Sequence, residues 1–156
     1  GEFTVNIALI ENGEPILGVV TAPALKEAYW GLKGEGAYKR DRTGRTRRIS
    51  VVEPGEAKRV VASKNHLNEE TKAFINKLGA HELVQAGSSL KFCKIAEGHA
   101  DIYPRLGPTC EWDTGAAHAV LSAAGGKVET LEGKPLQYGK EDVLNPHFIA
   151  AGNWHK

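Results

Sequence analysis

Residues 110–126 read CEWDTGAAHAVLSAAGG. Beyond Trp112 the run is dominated by Gly115, Ala116, Ala117, Ala119, Ala123 and Ala124. Helical spacing and the Gly125-Gly126 stop predict one helix, with Asp113 as its N-cap. A helix needing only a core face would carry Leu and Ile at every third or fourth position. Small side chains instead let a neighbour come close. One reading is that Asp113 only caps orphan N–H groups and meets the positive end of the helix dipole. The other is that Asp113 binds a divalent cation while the helix terminus attracts a phosphate, the small residues leaving room for both. The two are compatible, because one carboxylate oxygen can accept from the backbone while the other faces outward.

Upstream, residues 3–23 alternate Phe3, Val5, Ile7 and Leu9 with polar positions, turn at Asn12-Gly13 and return through Ile16, Val19 and Val20. That is a hairpin. Short strands broken by Gly31, Gly34 and Gly36 follow, then an arm turning near Thr43-Gly44, so about the first 50 residues predict an antiparallel meander. The character changes near Pro54-Gly55. Strand-like KRVVA (58–62), HELVQ (81–85), DIYPR (101–105), KVETLEG (127–133) and HFIAAGN (147–153) alternate with three helical segments. Asn68 is the expected cap of the first helix and Ser88 or Ser89 of the second, with Gly79 and Gly98 as stops. Strands alternating with helices imply a layered α/β arrangement.

The chain has 156 residues, with a formal net charge of +1. Such a balance gives no global field for nucleic acid or anionic lipid. Cys93 and Cys110 form no CxxC pair, which suits a reducing cytoplasm. No apolar run is long enough to span a membrane, and no signal peptide is visible. The chain contains no Met and begins on strand-like sequence. The expectation is a piece of a longer protein, the alternative being a processed N-terminus. Residues 39–48, KRDRTGRTRR, hold six cations and one acid. Without aromatic interleaving they read as a solvated hairpin tip, with contact to phosphate or a membrane surface as the competing reading.

WDTGAAHAVLSAAGG resembles the second signature of the inositol monophosphatase superfamily, the magnesium-dependent phosphomonoesterases. Together with it, GEFTVNIALI (1–10), GEPILGVVTAP (13–23), GSSLKFCKIAEGHADIYPR (87–105) and GPTCEWDT (107–114) look like the bacterial 3'(2'),5'-bisphosphate nucleotidases of that superfamily. The resemblance implies an α+β / α/β layered sandwich of the sugar-phosphatase type. Residues 1–56 would be the remnant of an antiparallel-sheet domain and 57–156 an α/β domain. Asp113 would be the catalytic aspartate that ligates Mg2+ and touches the scissile phosphate. Ser63 and His66 would lie beside the nucleotide. Ser88, Ser89 and Lys91 would contact its phosphate and sugar, and Arg105 would complete the substrate site. Hydroxyls, an ammonium and a guanidinium together suit a ligand with two phosphates.

The implied reaction converts 3'-phosphoadenosine 5'-phosphate to AMP and phosphate. An inositol monophosphatase-type sugar phosphatase and a non-catalytic nucleotide-binding or pairing half are the alternatives. The family's first signature, an Asp-Pro-x-Asp-Gly-Thr loop, has no match here. Glu97, Asp101, Glu111 and Asp142 lie outside the pattern, Glu111 being expected to face solvent. A missing N-terminal segment of the same protein is therefore the expected partner, and the chain alone is expected to be inactive. Two departures stand out: Gly115-Ala116-Ala117 replaces the usual Ala-Ala-Gly, and Asn65 replaces a usual Ser. Polymeric nucleic acid is not an expected partner. The expected location is the cytoplasm, with peripheral contact at the inner membrane and a homodimer left open.

Overall fold

A computed structural model describes residues 3–62, 67–87 and 89–153. The meander is present as five antiparallel strands in chain order: β1 (Val5–Glu11), β2 (Glu14–Ala22), β3 (Glu27–Leu32), β4 (Gly36–Arg40) and β5 (Thr46–Ile49). Its first turn holds Asn12 and Gly13 at φ 52° and 80°. Two consecutive positive angles match the right-handed strand twist, which is why Asn-Gly forms this hairpin. Residues 50–57 carry the chain to a second sheet, ordered β7-β6-β8-β10-β9. These strands are β6 (Lys58–Ala62), β7 (His81–Gln85), β8 (Ile102–Arg105), β9 (Lys127–Thr130) and β10 (Phe148–Ala151). β7 and β8 run parallel to β6, while β10 is antiparallel to β8 and β9.

Three helices complete the layers: α1 (Glu69–Lys77), α2 (Leu90–Ala96) and α3 (Glu111–Ala123). α2 and α3 lie between the sheets, and one apolar core joins Val20, Tyr29 and Ile49 of the first sheet to Tyr103 and Phe148 of the second. Phe92 of α2 packs on those two rings with centroids 5.5 and 5.8 Å away. α1 covers the other face of the second sheet, where Ile75, Phe74 and Leu78 meet Val60 and Ile102. Asn68 caps α1 as expected, its side chain accepting from the Thr71 N–H at 2.8 Å.

The small residues of α3 have a different use from the one expected. They face the meander. A Cβ on Gly18 of β2 would stand 2.0 Å from the Ala116 carbonyl oxygen, and one on Gly31 of β3 would stand 2.9 Å from both the Ala123 Cβ and the Val120 Cα. Glycines on the strands and alanines on the helix thus bring α3 nearly onto the sheet backbone. The room from Ala116 to Ala123 is taken up by β2 and β3, beginning within one helical turn of Asp113.

A buried ion-pair cluster fastens the end of α2 to the same sheet. Glu97, with no side-chain exposure, accepts from the Tyr29 hydroxyl at 2.5 Å and from Lys39 Nζ at 2.9 Å. His99 Nδ1 lies 2.9 Å away and Arg47 3.7 Å, while Lys39 also reaches Glu27 at 3.2 Å. Burial raises the Glu97 pKa, but its bonds to Tyr29 and Lys39 outweigh that and hold the carboxyl below its ordinary value.

Gly18→Ala is expected to lower unfolding free energy by about 3 kcal/mol, because helix backbone, not a flexible tip, occupies the added methyl's place. Gly55→Ala, with nothing within 4 Å, is the control and should leave the urea midpoint almost unchanged.

Candidate active site

Strand β8 delivers Tyr103 and Arg105 to a cleft of about 480 Å³ that is also lined by Lys91, Asn68, Thr71 and Leu106. Lys91 is 7% exposed, and its Nζ lies 5.5 Å from the Tyr103 ring centroid. Burial pulls the Lys91 pKa down, and the nearby Arg105 charge adds to that. Arg105 Nη2 donates to the Pro108 carbonyl at 3.3 Å. Its buried Nε finds no partner among the described residues, nor does Lys91 find a carboxylate. Two cations therefore converge on one cleft with an N–H left over. An unsatisfied buried donor costs about 1–3 kcal/mol, and an anionic oxygen would supply what both side chains lack.

Asp113 stands at the third helical position of α3, not at the N-cap. The helix starts three residues earlier than expected, with Cys110 as cap, and Asp113 Oδ2 reaches back to accept from the Cys110 N–H at 2.8 Å. This is the reciprocal half of a capping box. The carboxylate is exposed. Burial raises the pKa of the Tyr103 hydroxyl and the Asp113 charge adds a smaller rise, so Asp113 lies near the ring that lines the cleft.

Of the other residues singled out, Ser63, His66, Asn65 and Ser88 lie outside the described residues. Ser89 precedes α2 but makes no capping bond. It is 2% exposed, its Oγ donates to Asn6 Oδ1 at 2.8 Å, and it shares a 2.9 Å hydrogen bond with Thr4 Oγ1. The structure thus turns Ser89 toward the first sheet and places it off the cleft lining. Thr4 and Asn6 were missed. Their signal was faint: two polar side chains alternating with Phe3, Val5, Ile7 and Leu9, on the opposite face of the strand.

Glu111 was expected to face solvent. It folds back instead, accepting from the Gly139 N–H at 2.9 Å and from Lys140 through both backbone and ammonium. Burial raises its pKa, but the Lys140 and backbone bonds outweigh this and leave it below the ordinary range. Asp101 is bound by Arg59 at 3.1 Å, and Asp142 accepts from the Leu144 N–H at 3.0 Å. None of these acids joins Asp113. Among the described residues no group of three or more His, Cys, Asp or Glu could hold a metal ion. Magnesium asks for about six oxygens in an octahedron, so the residues present do not by themselves fit it.

The first turn of α3 is braced from below. Thr114 Oγ1 accepts from the Tyr138 hydroxyl at 2.9 Å and from Asn145 Nδ2 at 3.1 Å. His118 Nδ1 lies 2.9 Å from the same Tyr138 oxygen. Since that hydroxyl's proton goes to Thr114, the imidazole is the donor in this pair. Burial pushes the His118 pKa down to about 4.

Residues 1–156 match the inositol monophosphatase family. The chain belongs to that family. Among curated relatives, the 3'(2'),5'-bisphosphate nucleotidases CysQ of Shigella flexneri and of Escherichia coli strain K12 are each 49% identical over 149 residues. Those alignments take in 95% of this chain and 59% of the relative. The chain thus spans about three-fifths of the length of the curated relatives it matches. The crystal structure of CysQ from Bacteroides thetaiotaomicron, a bacterial member of the family, superposes with a TM-score of 0.90 at 41% identity, covering 99% of this chain and 64% of that one. The layered α+β fold expected from the resemblance is therefore the fold of this inositol monophosphatase family member.

The brace beneath α3 sets a pH dependence. Folding holds His118 neutral with a pKa near 4, against about 6.5 when unfolded. A depressed folded value contributes stability above the unfolded pKa and loses it as pH falls toward the folded one. Unfolding free energy should drop by up to about 3 kcal/mol between pH 6.5 and 4. In His118→Gln, measured by urea denaturation at each pH, that slope should flatten.

Proposed function

We propose that this chain is the nucleotide-holding part of a magnesium-dependent 3'(2'),5'-bisphosphate nucleotidase that releases phosphate from 3'-phosphoadenosine 5'-phosphate to give AMP. One observation carries the reading. Lys91 and Arg105 converge on a cleft without a counter-anion among the described residues, and the buried Arg105 Nε lacks a partner. The relatives' names support the nucleotide class, since each is a bisphosphate nucleotidase.

The roles divide by chemistry. The Lys91 ammonium and the Arg105 guanidinium hold the phosphate that is not cleaved. Tyr103 and the apolar side of the cleft exclude water around it. Ser63, His66 and Ser88 are proposed as nucleotide contacts on the resemblance alone, and Ser89 as their support through Asn6. Asp113 presents its free oxygen toward the scissile phosphate and is the one metal-binding carboxylate this chain contributes. One carboxylate does not organise magnesium, a nucleophile or a leaving group. The remaining anchors are proposed to come from an N-terminal segment like the extra length of the relatives, and the chain alone to release no phosphate. We place the enzyme in the cytoplasm; both cysteines are free.

Calorimetric titration with 3'-phosphoadenosine 5'-phosphate tests the reading. Binding to the chain should weaken at least tenfold in Lys91→Gln and in Arg105→Gln, while inositol 1-phosphate binds less tightly than the nucleotide. Phosphate release with Mg2+ should appear only when a carboxylate-bearing N-terminal segment is joined to the chain, and should vanish in Asp113→Ala. Equal binding of both ligands, or undiminished turnover in Asp113→Ala, would overturn it.

A further inference from the structure

Beside the C-terminal half of α3 lies a cavity of about 350 Å³ that the cleft does not include. The β1–β2 turn, α3, the first residues of β9 and the loop after it form its walls. Backbone bonds fix that frame. The Tyr138 N–H donates to the Gly13 carbonyl at 3.0 Å and the Leu136 N–H to the Val128 carbonyl at 3.1 Å, while Pro135 bridges to Glu129. The walls thus come from both sheets and are tied together, as in a preformed ligand pocket. Buried Pro15, Val128 and Leu136 supply its apolar surface.

The polar groups there are mostly acceptors. His118 lines the cavity and is only 6% exposed. Its Nδ1 donates to the Tyr138 oxygen, so Nε2 carries a lone pair, and no group among the described residues donates to it. Burial keeps the imidazole neutral, with the charge of Glu14 acting more weakly in the other direction. Glu14 and Glu129 both line the cavity, and Lys127 is the only cation among the described lining residues. Lys127 pairs with Glu129 at 3.3 Å, and Lys33 reaches Glu14 at 2.9 Å from outside the cavity. Both pairs are open to solvent, where such pairs hold weakly, so a competing cation can take the place of either lysine. α3 also ends here. Gly126 lines the cavity two residues beyond the Ala124 C-cap, at the negative end of the helix dipole.

We propose that this cavity binds a small organic ammonium ion, which donates an N–H to His118 Nε2 and sets its charge against Glu14 and Glu129. The apolar surface suits a short methylene chain, so a primary diamine matches the walls better than a bare ammonium ion. A hydroxyl could also donate to Nε2 but would draw nothing from the two carboxylate charges. The site stands apart from the nucleotide reading, since none of its lining residues lines the cleft.

Calorimetric titration of the 156-residue chain with putrescine, a four-carbon diamine, tests it. A dissociation constant on the order of 0.1–1 mM is expected. The diol of the same length keeps the donors without the charge and should bind at least tenfold more weakly. Glu14→Gln and Glu129→Gln should each weaken putrescine binding roughly tenfold. Neither carboxylate belongs to the core, so the thermal midpoint of each variant should stay within about 2 °C of the parent. A readout on the unaltered chain is imidazole nitrogen NMR, in which the His118 Nε2 resonance should move upfield as it accepts the new hydrogen bond. No binding of putrescine up to ~10 mM, or equal binding of the diol, would overturn the proposal. So would binding that survives the paired Glu14→Gln, Glu129→Gln variant, or an Nε2 resonance that stays in place at saturation.

Discussion

The close approach of α3 to the first sheet is the constraint on which the other layers depend. Gly18 and Gly31 have no room for a Cβ, and Ala116, Ala119 and Ala123 face them across the gap. Dispersion falls off steeply with separation, so a helix seated this close gains contact from backbone atoms that larger side chains would hold apart. The same seating fixes the height of α3 between the sheets. Leu121 and Val120 then reach the shared core, and Gly115 near the other end of the helix sits against Ala8 and Ile10 of β1, with Asp113 exposed.

The Glu97 cluster does for α2 what the glycines do for α3. A carboxylate taken wholly out of water is costly unless paired and hydrogen-bonded. Here Tyr29 from β3, Lys39 from β4 and Arg47 from β5 converge on it. Three successive strands are tied to the end of the helix whose second residue is Lys91. The position of that ammonium over the Tyr103 ring is thus referred back to the meander through seven residues of helix. Ser89 adds a second tie at the other end of α2, to Asn6 and Thr4 of the edge strand region.

What could be read in the sequence was local. Asn12-Gly13 forces its turn by backbone angle alone, Asn68 caps α1 by reaching three residues ahead, and alternation in residues 3–23 needs only the pleat. The convergence of Lys91 and Arg105 was also accessible, since each belongs to a recognisable motif. What could not be read was long-range. Nothing within residues 110–126 says that the partner of a small-residue helix is a pair of glycines on distant strands, so room was assigned to a phosphate that the sheet occupies. Ser89 looked like a cap because serine before a helix usually is one; its competing partner lies on β1. Glu111 looked solvent-facing because the stretch after Thr130, which holds Gly139 and Lys140, carries little periodicity and was not placed.

These ties meet in the short loop 106–110, which joins the last residue of β8 to the cap of α3. Asn68 Nδ2 donates to the Leu106 carbonyl at 2.9 Å, anchoring the loop's start to α1. Asn145 anchors its end, the N–H donating to the Thr109 carbonyl at 2.8 Å while Nδ2 lies 3.1 Å from both the Thr109 and Thr114 hydroxyls. A loop pinned at both ends has little freedom to change the spacing between Arg105 before it and Asp113 after it. The cationic cleft and the Asp113 carboxylate are therefore held in a fixed relation even though no side chain among the described residues bridges them. On the proposed reading, a ligand with two separated anionic groups uses this relation, one group neutralised by Lys91 and Arg105 and the other held at Asp113 through the magnesium that the missing anchors would complete. A ligand with a single anionic group can satisfy only one of the two places at a time.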